Sequence, residues 1–246
     1  MRICIAQIKP QQGDIQKNIE LHRKWIESAV SEQADFICFP ELSLTGYEPT
    51  LARQLATDQN DTRLEIFQQI SQQKNIDIAV GLPIKRASKI YIGMVIFHAN
   101  RPKETYLKQR LHADELPFFM AGKEQLLLSI NDTLMAPAIC YESLLFEHAE
   151  NAKNLGAQMY LASVAKSEKG IKKAYSHFPK VAAKHSLPIL MSNCVGACDN
   201  FTSAGQSAIW GAEGSLKKSL GTHTEGILIF DTQTSAAFKK EKGFKL

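Results

Sequence analysis

Hydrophobic positions in the first half of the chain switch repeatedly between a period of two and a helical period. Residues 2–8 (RICIAQI) alternate as in a strand. After Asp14, which is a suitable N-cap, apolar residues recur at helical spacing as far as Val30. The pattern further predicts a strand at 34–40 that stops at Pro40, a helix at 62–76, a strand at 77–84, and two strands within 89–109 around a turn containing Asn100 and Pro102.

The second half repeats this alternation. We predict strands at 133–140, 157–164 and 187–196, helices at 143–156 and 172–186 (the latter broken or bent near Pro179), a hairpin at 205–220 turning at Gly211 and Gly214, and a closing strand at 224–232. Strands that alternate with helices, with hairpins among them, predict an α/β fold with a mixed sheet, or two sheets, covered by helices. Because no linker or break in composition interrupts the 246 residues, we expect a single domain, 1–246.

The composition and charge of the chain do not point to a particular function. The formal net charge is only +4, and its densest basic run is the tail, which we interpret as a solvated, frayed terminus rather than a nucleic-acid site: Lys239, Lys240, Lys242 and Lys245. No run of about 18 apolar residues predicts a membrane span, and the N-terminus turns polar too soon for a signal peptide.

The number and spacing of the cysteines bear on the cellular compartment of the protein. Five scattered cysteines, an odd number, do not form a disulfide framework and favour a reducing cytoplasm. Cys194 and Cys198 have C-x3-C spacing, but no second pair or suitably spaced histidines accompany them, so we expect no zinc site.

Three predicted strand ends carry reactive side chains. Glu41 follows Pro40, Lys108 ends a strand with Glu115 in the loop beyond, and Cys140 lies where a strand turns into a helix. Sites in α/β sheets gather beyond the carboxyl ends of strands. Glu41 could take the thiol proton, while Lys108 and the backbone N–H of Tyr141 could stabilise an oxyanion.

Each of these residues alone has a simpler explanation. A buried cysteine at a strand end is usually a packing residue, and a glutamate or lysine after a strand is usually at the surface. No histidine lies in a Cys–His setting of the protease kind that would compete with this interpretation. His112, near Lys108, is expected at the surface or at a pocket mouth. Only the combination of three strand ends favours catalysis.

The four motifs in order resemble the nitrilase superfamily of carbon–nitrogen hydrolases. FPELSLTGY resembles its glutamate motif, YLKQRLHADELPFF followed by AG its lysine motif, and AICYESLLFE its cysteine motif. SNCVG and FTSAGQSAIWGAEGSL resemble its closing pattern. The resemblance assigns catalysis to Glu41, Lys108 and Cys140. It suggests supporting or substrate-binding roles for five further residues, Tyr47, Glu115, Tyr141, Glu142 and Asn193.

The resemblance also implies an α/β four-layer α-β-β-α sandwich, a homodimer or higher homo-oligomer, and a thioester acyl-enzyme formed from a small-molecule amide without metal or organic cofactor. The sequence departs from the pattern in two places near the expected site. Glu142 stands where many amidase members carry aspartate, and the substrate-facing loop SVAKSEKG is atypical.

We therefore expect a cytoplasmic, cysteine-dependent hydrolase that cleaves a small linear amide and releases ammonia or an amine. The alternatives are an N-carbamoyl amine hydrolase, a nitrilase or an acyltransferase of the same family. A catalytically silent, dimeric binding protein is the alternative from another class of function. Nucleic acid and membrane partners are not expected.

Overall fold

The computed structural model describes residues 1–241. Its strands, in chain order, are β1 Arg2–Gln7, β2 Phe36–Cys38, β3 Asp77–Arg86, β4 Lys89–Phe97, β5 Glu104–Leu107, β6 Leu128–Ile130, β7 Thr133–Ile139, β8 Met159–Val164, β9 Ile189–Asn193, β10 Val195–Cys198, β11 Phe201–Ala204, β12 Ala208–Trp210, β13 Leu216–Ser219, β14 Gly226–Asp231 and β15 Ala236–Glu241. The helices are α1 Ile15–Ser31, α2 Ala52–Leu55, α3 Glu65–Lys74, α4 Phe146–Asn154 and α5 Glu168–His185.

The two long helices begin at residues that suit a helix N-terminus. The side chain of Asp14 accepts a hydrogen bond from the backbone N–H of Lys17 at 3.1 Å and caps α1, as predicted. Ser167 caps α5 in the same way, through the N–H of Gly170. Helix α5 begins four residues before the predicted start, at 168 rather than 172, and continues through Pro179.

Two large sheets carry the fold. The first has the strand order β15-β14-β1-β2-β3-β4-β5, and the second has the order β13-β12-β9-β8-β7-β6. In each sheet the central strands run parallel, β1 to β2 to β3 and β7 to β8 to β9, whereas the outer strands pair antiparallel. The small pair β10-β11 lies apart from both. The prediction of mixed sheets covered by helices is confirmed.

Three hydrophobic cores lie between four layers of secondary structure. One face of the first sheet packs on α1 and α3 through residues such as Trp25, Phe67 and Val80. One face of the second packs on α4 and α5 through residues such as Phe178 and Trp210. The opposite faces of the two sheets share the central core. Helix, sheet, sheet and helix therefore stack in the α-β-β-α order that the family resemblance implied.

Hydroxyl groups also join the two sheets. Ser163 on β8 donates to the carbonyl of Phe39 at 2.8 Å, and Ser192 on β9 donates to the carbonyl of Ala6 at 2.6 Å. Each bond satisfies two buried polar groups inside an apolar layer, where an unpaired group would be destabilising. The Ser163 bond also fixes the second sheet against the chain just before Glu41.

Several predicted boundaries were wrong. The segment 187–196 is not one strand, because it breaks at Cys194 and β10 joins a different pair. The helix predicted from residue 143 begins with a 3-10 turn, Cys140–Leu144, and becomes α-helical only at Phe146. The short strands β6 and β11 were not predicted.

The basic tail was also misinterpreted. β14 does not close the series, because β15 pairs antiparallel with it from Ala236 to Glu241. Lys239 and Lys240 belong to this edge strand and pair with Glu241 and Glu32, so this part is not frayed. Lys242 and Lys245 lie outside the described residues. Within residues 1–241, no helix combines the length and the apolar character needed to cross a membrane.

Candidate active site

The structure brings the three reactive strand ends together. Glu41 follows β2 of the first sheet, Lys108 follows β5 of the same sheet, and Cys140 follows β7 of the second sheet. The site therefore lies where the ends of both sheets meet. Glu41 and Lys108 are buried, and Cys140 is partly exposed.

Glu41 is carried on a tight turn that packs against β3. The N–H of Ser43 bonds to the carbonyl of Pro40 at 3.1 Å, and Leu42 takes a left-handed backbone conformation with φ +51°. Gly81 makes room for this turn, since a Cβ there would lie 2.6 Å from the carbonyl oxygen of Pro40 and 2.7 Å from the nitrogen of Leu42. A side chain at position 81 would displace the backbone on both sides of Glu41.

Lys108 lies between two carboxylates. Its Nζ donates to Glu41 Oε1 at 2.7 Å and to Glu115 Oε1 at 2.6 Å. Glu115 is itself held by the hydroxyl of Tyr47 at 3.0 Å and by the N–H of His112 at 2.8 Å. The second oxygen of Glu41, Oε2, is buried and has no hydrogen-bond partner among residues 1–241. The ammonium is thus fixed in place, while one carboxylate oxygen stays free to accept a proton.

Cys140 begins the 3-10 turn with a left-handed backbone, φ +50°. Non-glycine residues adopt this conformation rarely, and such strain is concentrated at functional sites. The hydroxyl of Ser143 donates to the carbonyl of Cys140 at 2.6 Å and stabilises the turn. Cys140 Sγ lies 3.6 Å from the carbonyl of Ala165, at the end of β8.

Glu142 has a different environment from the one expected of a substrate-binding residue. Its carboxylate is fully buried and accepts four hydrogen bonds between 2.6 and 3.1 Å, from the hydroxyl of Tyr106 and from the backbone N–H groups of Ile139, Gln109 and Arg110. Two of these N–H groups directly follow Lys108. Glu142 therefore joins the lysine loop to the cysteine turn.

A buried histidine extends this network. The Nε2 of His148 lies 3.2 Å from the hydroxyl of Tyr106, and its Nδ1 lies 2.7 Å from the hydroxyl of Tyr160. Burial, with a contribution from the charge of Arg110, lowers the pKa of His148 to about 4. The ring is therefore neutral at pH 7 and completes a polar network behind the cysteine turn.

Burial and charge together shift the proton affinities of the site. Burial raises the pKa of Glu41 to about 7, against the opposing charge of Lys108. Burial and the charge of Glu41 raise the pKa of the Cys140 thiol to about 12, although Lys166 and Lys108 act in the other direction. Burial alone would lower the pKa of Lys108, but Glu41, Cys140 and Glu115 outweigh it and hold that pKa above its usual value. The resting site therefore holds a neutral thiol and a charged lysine.

A cavity of about 290 Å³ opens onto Cys140. Glu115 and the rings of Tyr47 and Tyr141 line it, together with Phe201 and His112. The ring of Phe201 packs against Tyr47 at 5.5 Å between centroids, and that of His112 against Tyr141 at 5.6 Å. This volume suits a small ligand with an aromatic wall on two sides.

Asn193 does not line this cavity. Its Oδ1 accepts from the backbone N–H of Lys166 at 2.8 Å, and its Nδ2 donates to the carbonyls of Lys166 and Gly205 at 3.2 and 2.7 Å. Its contacts are thus those of a positioning residue for the chain after β8.

The sequence did not single out Lys166 or Phe201 as site residues. Lys166 lies in the segment SVAKSEKG, two residues after β8 ends, so the strand-end argument that found the other three residues also applies to it. Phe201 carries no such signal, because it lies in β11, a strand that the hydrophobic pattern did not predict. His112, expected at the surface or at a pocket mouth, is largely exposed and lines the cavity.

Curated relatives of this chain are longer proteins. The glutamine-dependent NAD(+) synthetase of Aquifex aeolicus (strain VF5) is 27% identical over 250 residues, which cover 98% of this chain and 44% of the synthetase. The enzyme of the same name from Thermotoga maritima is 23% identical and is covered to 39% of its length. The chain therefore spans less than half the length of these relatives.

Solved structures match almost the whole fold. A variant of the amidase from Nesterenkonia sp. AN1 that carries the Michael adduct of acrylamide at its active-site cysteine has a TM-score of 0.85 at 23% identity, with 94% of this chain and 92% of that chain covered. A cysteine-to-alanine variant of that amidase in complex with butyramide has a TM-score of 0.86 at 22% identity, with 96% and 92% covered. At this identity the likeness shows the fold.

Residues 2–239 match the sequence model of the carbon–nitrogen hydrolase family. This match covers nearly all of the chain and agrees with the four-layer fold described above. The chain therefore belongs to the carbon–nitrogen hydrolase family.

Proposed function

We propose that the protein is an amidase that hydrolyses a small linear amide through a thioester on Cys140. The observation that carries this proposal is the Lys108 ammonium held by Glu41 and Glu115, beside a cysteine on a strained turn that faces a small cavity. Nucleophile, proton acceptor and fixed cation are the three parts that acyl transfer needs.

In the acylation step, Sγ of Cys140 attacks the amide carbon and its proton passes to Glu41. The free Oε2 of Glu41 is the natural acceptor. Since the pKa of the thiol is near 12 and that of Glu41 near 7, proton transfer accompanies the attack rather than preceding it. Lys108 and the N–H of Tyr141 stabilise the oxyanion. Protonated Glu41 then gives its proton to the leaving nitrogen, and ammonia or an amine departs.

In the deacylation step, water attacks the thioester carbon while Glu41 takes one of its protons. The tetrahedral intermediate collapses, the carboxylic acid leaves, and the proton returns from Glu41 to Sγ of Cys140. The net reaction is amide plus water to acid plus amine. The scheme requires neither a metal ion nor an organic cofactor.

The other predicted site residues act around this reaction. Glu115 and Tyr47 hold Lys108 in position through the hydrogen bonds described above. The ring of Tyr141 lines the cavity and contacts the substrate. Glu142 and Asn193 position the lysine loop and the chain after β8. The single domain and the cytoplasmic location predicted from the sequence, and the homodimer implied by the family resemblance, stay predictions.

The experiment is an ammonia-release assay with small amides, carbamoyl amines and nitriles, using the wild type, Cys140→Ala and Cys140→Ser. We expect amide turnover in the wild type only, because alanine has no nucleophile and Glu41 is a weak base for a hydroxyl. Turnover by Cys140→Ala would overturn the mechanism, and turnover of another substrate class alone would select the corresponding alternative. A chain that turns over nothing, with a Cys140 that resists iodoacetamide, would be a silent binding protein.

A further inference from the structure

Lys166 lines the cavity, and its ammonium has no carboxylate partner among residues 1–241. Only 5% of the residue is exposed, and its Nζ contacts the carbonyl oxygen of Cys140 at 3.4 Å and Sγ of Cys140 at 3.8 Å. Both contacts are longer than usual charge-assisted hydrogen bonds. Among residues 1–241 it forms no ion pair within 4.0 Å. Because desolvating an ammonium is costly unless a counter-charge offsets it, this site favours an anion.

The acidic groups of the cavity do not supply that counter-charge. Glu115 is bound to Lys108, and Asp114 pairs with the ring of His112. Glu41 does not line the cavity, and its Oε1 is bonded to Lys108. An anion for Lys166 therefore has to come from outside the protein.

The surroundings of Lys166 add positive potential. It lies just before α5, whose N-cap Ser167 and first-turn Gly170 both line the cavity, and helix N-termini favour anions. Lys173, one turn further along, also lines the cavity and forms no ion pair in the described part of the chain. The one acidic residue in the first turn, Glu168, is exposed and pairs with Lys172 at 2.7 Å.

The position of Lys166 relative to Cys140 limits the shape of the ligand. Asn193 hydrogen-bonds to both the backbone N–H and the backbone carbonyl of Lys166 and so fixes the point from which the lysine side chain enters the cavity. Nζ of Lys166 and Sγ of Cys140 are 3.8 Å apart. A ligand whose anionic group binds Nζ while Sγ attacks its carbonyl carbon can therefore have only a few bonds between these two groups.

We propose that the substrate is an amide whose short acyl chain ends in a carboxylate, and that Lys166 binds this carboxylate. This proposal rests on the amidase function proposed above and narrows its substrate class. Succinamate, the half-amide of a four-carbon diacid, has the required separation. Butyramide has the same amide and chain length, with a methyl group in place of the carboxylate, and is the matched neutral compound.

The first test compares kcat/KM for succinamate and butyramide in the wild type and three variants. A buried charged hydrogen bond predicts a roughly ten- to hundredfold preference for succinamate in the wild type. Lys166→Met should abolish the preference, whereas Lys166→Arg should retain part of it. Lys172→Met changes an exposed lysine of α5, the helix that follows Lys166, and should keep the wild-type ratio. Melting curves of all four proteins report folding.

Two results would overturn the proposal. A wild type that prefers butyramide, or does not discriminate, has no carboxylate site. If Lys166→Met slows both amides by the same factor, Lys166 acts on the Cys140 thiol and not on the substrate.

The second test needs no turnover and separates this proposal from the proposed function. Iodoacetate and iodoacetamide alkylate the same thiol and differ by one negative charge, and mass spectrometry identifies adducts on Cys140. We expect the ratio of iodoacetate to iodoacetamide rates to fall about tenfold from wild type to Lys166→Met, an effect on the order of one charged hydrogen bond. An unchanged ratio contradicts anion binding. If neither amide is hydrolysed, the amidase function fails, and this ratio alone decides whether the cavity selects anions.

Discussion

Glu41 and Glu142 are both buried glutamates close to Cys140, yet their hydrogen-bond partners differ completely. Glu41 bonds to Lys108 through one oxygen and leaves the other without a partner among residues 1–241. Glu142 fills both oxygens with four donors, three of them backbone N–H groups. Burial raises the pKa of both carboxyl groups, so burial alone does not distinguish them.

This difference in hydrogen bonding shows how a buried glutamate can be suited either to accepting a proton or to holding parts of the fold together. A carboxylate with a free oxygen can accept a proton, whereas one saturated with donors from two chain segments holds those segments together. On this basis we propose that removing the charge of Glu41 affects mainly the rate, and that removing the charge of Glu142 affects mainly the stability.

The largest expected effect is that of Glu41→Gln on the rate. Glutamine keeps the shape and can still accept a hydrogen bond from Lys108, but it cannot take the thiol proton. Single-turnover acylation should fall by about 10²- to 10⁴-fold, the usual contribution of a general base. The melting temperature should change little, since Glu115 still neutralises Lys108. Near-normal acylation in this variant would remove Glu41 from the mechanism.

Lys108→Met should come next, and it should affect both rate and stability. The fixed positive charge at the oxyanion is worth roughly 3 kcal/mol or more of barrier, about a hundredfold in rate. Two carboxylates left without their cation should also lower the free energy of unfolding. Single-turnover acylation and a thermal melt measure the two effects. Unfolding without a separate rate effect would make Lys108 a structural residue first.

The pH dependence of kcat/KM should report Glu41 and not Glu142. Because the pKa of Glu41 is raised to about 7, lowering the pH below 7 protonates it and removes the proton acceptor. The rate should therefore fall about tenfold per pH unit on the acid side, and Glu142→Gln should keep that limb. A flat profile from pH 5 to 8 would contradict the assignment of Glu41 as the base.

The smallest effect on the rate should be that of Glu142→Gln. One amide N–H₂ group would face donors that now bond to a carboxylate, so the free energy of unfolding should fall by about 1–3 kcal/mol. Acylation of the folded protein should decrease much less than in Glu41→Gln. Chemical denaturation and single-turnover kinetics on the same samples give both numbers. A rate loss as large as that of Glu41→Gln at unchanged stability would reverse the comparison.

The sequence identified residues whose position in a strand pattern carries information. Glu41, Lys108 and Cys140 each follow a predicted strand, and the structure brings these strand ends together. The structural role of Glu142 could not be predicted, because two of its partners are backbone N–H groups more than 30 residues earlier in the chain. β6 and β11 have only three and four residues, too few to show a period. β15 was missed because an edge strand tolerates exposed lysines.

The two hydrogen bonds that Asn193 makes to the backbone of Lys166 have a consequence for protein engineering. They fix the main chain at position 166 through groups that every amino acid except proline possesses. The side chain at that position can therefore be exchanged while the loop keeps its course. Position 166 on the wall of the cavity should therefore tolerate many side chains. A mutant library restricted to this one codon is a direct way to obtain enzymes with altered substrate preference.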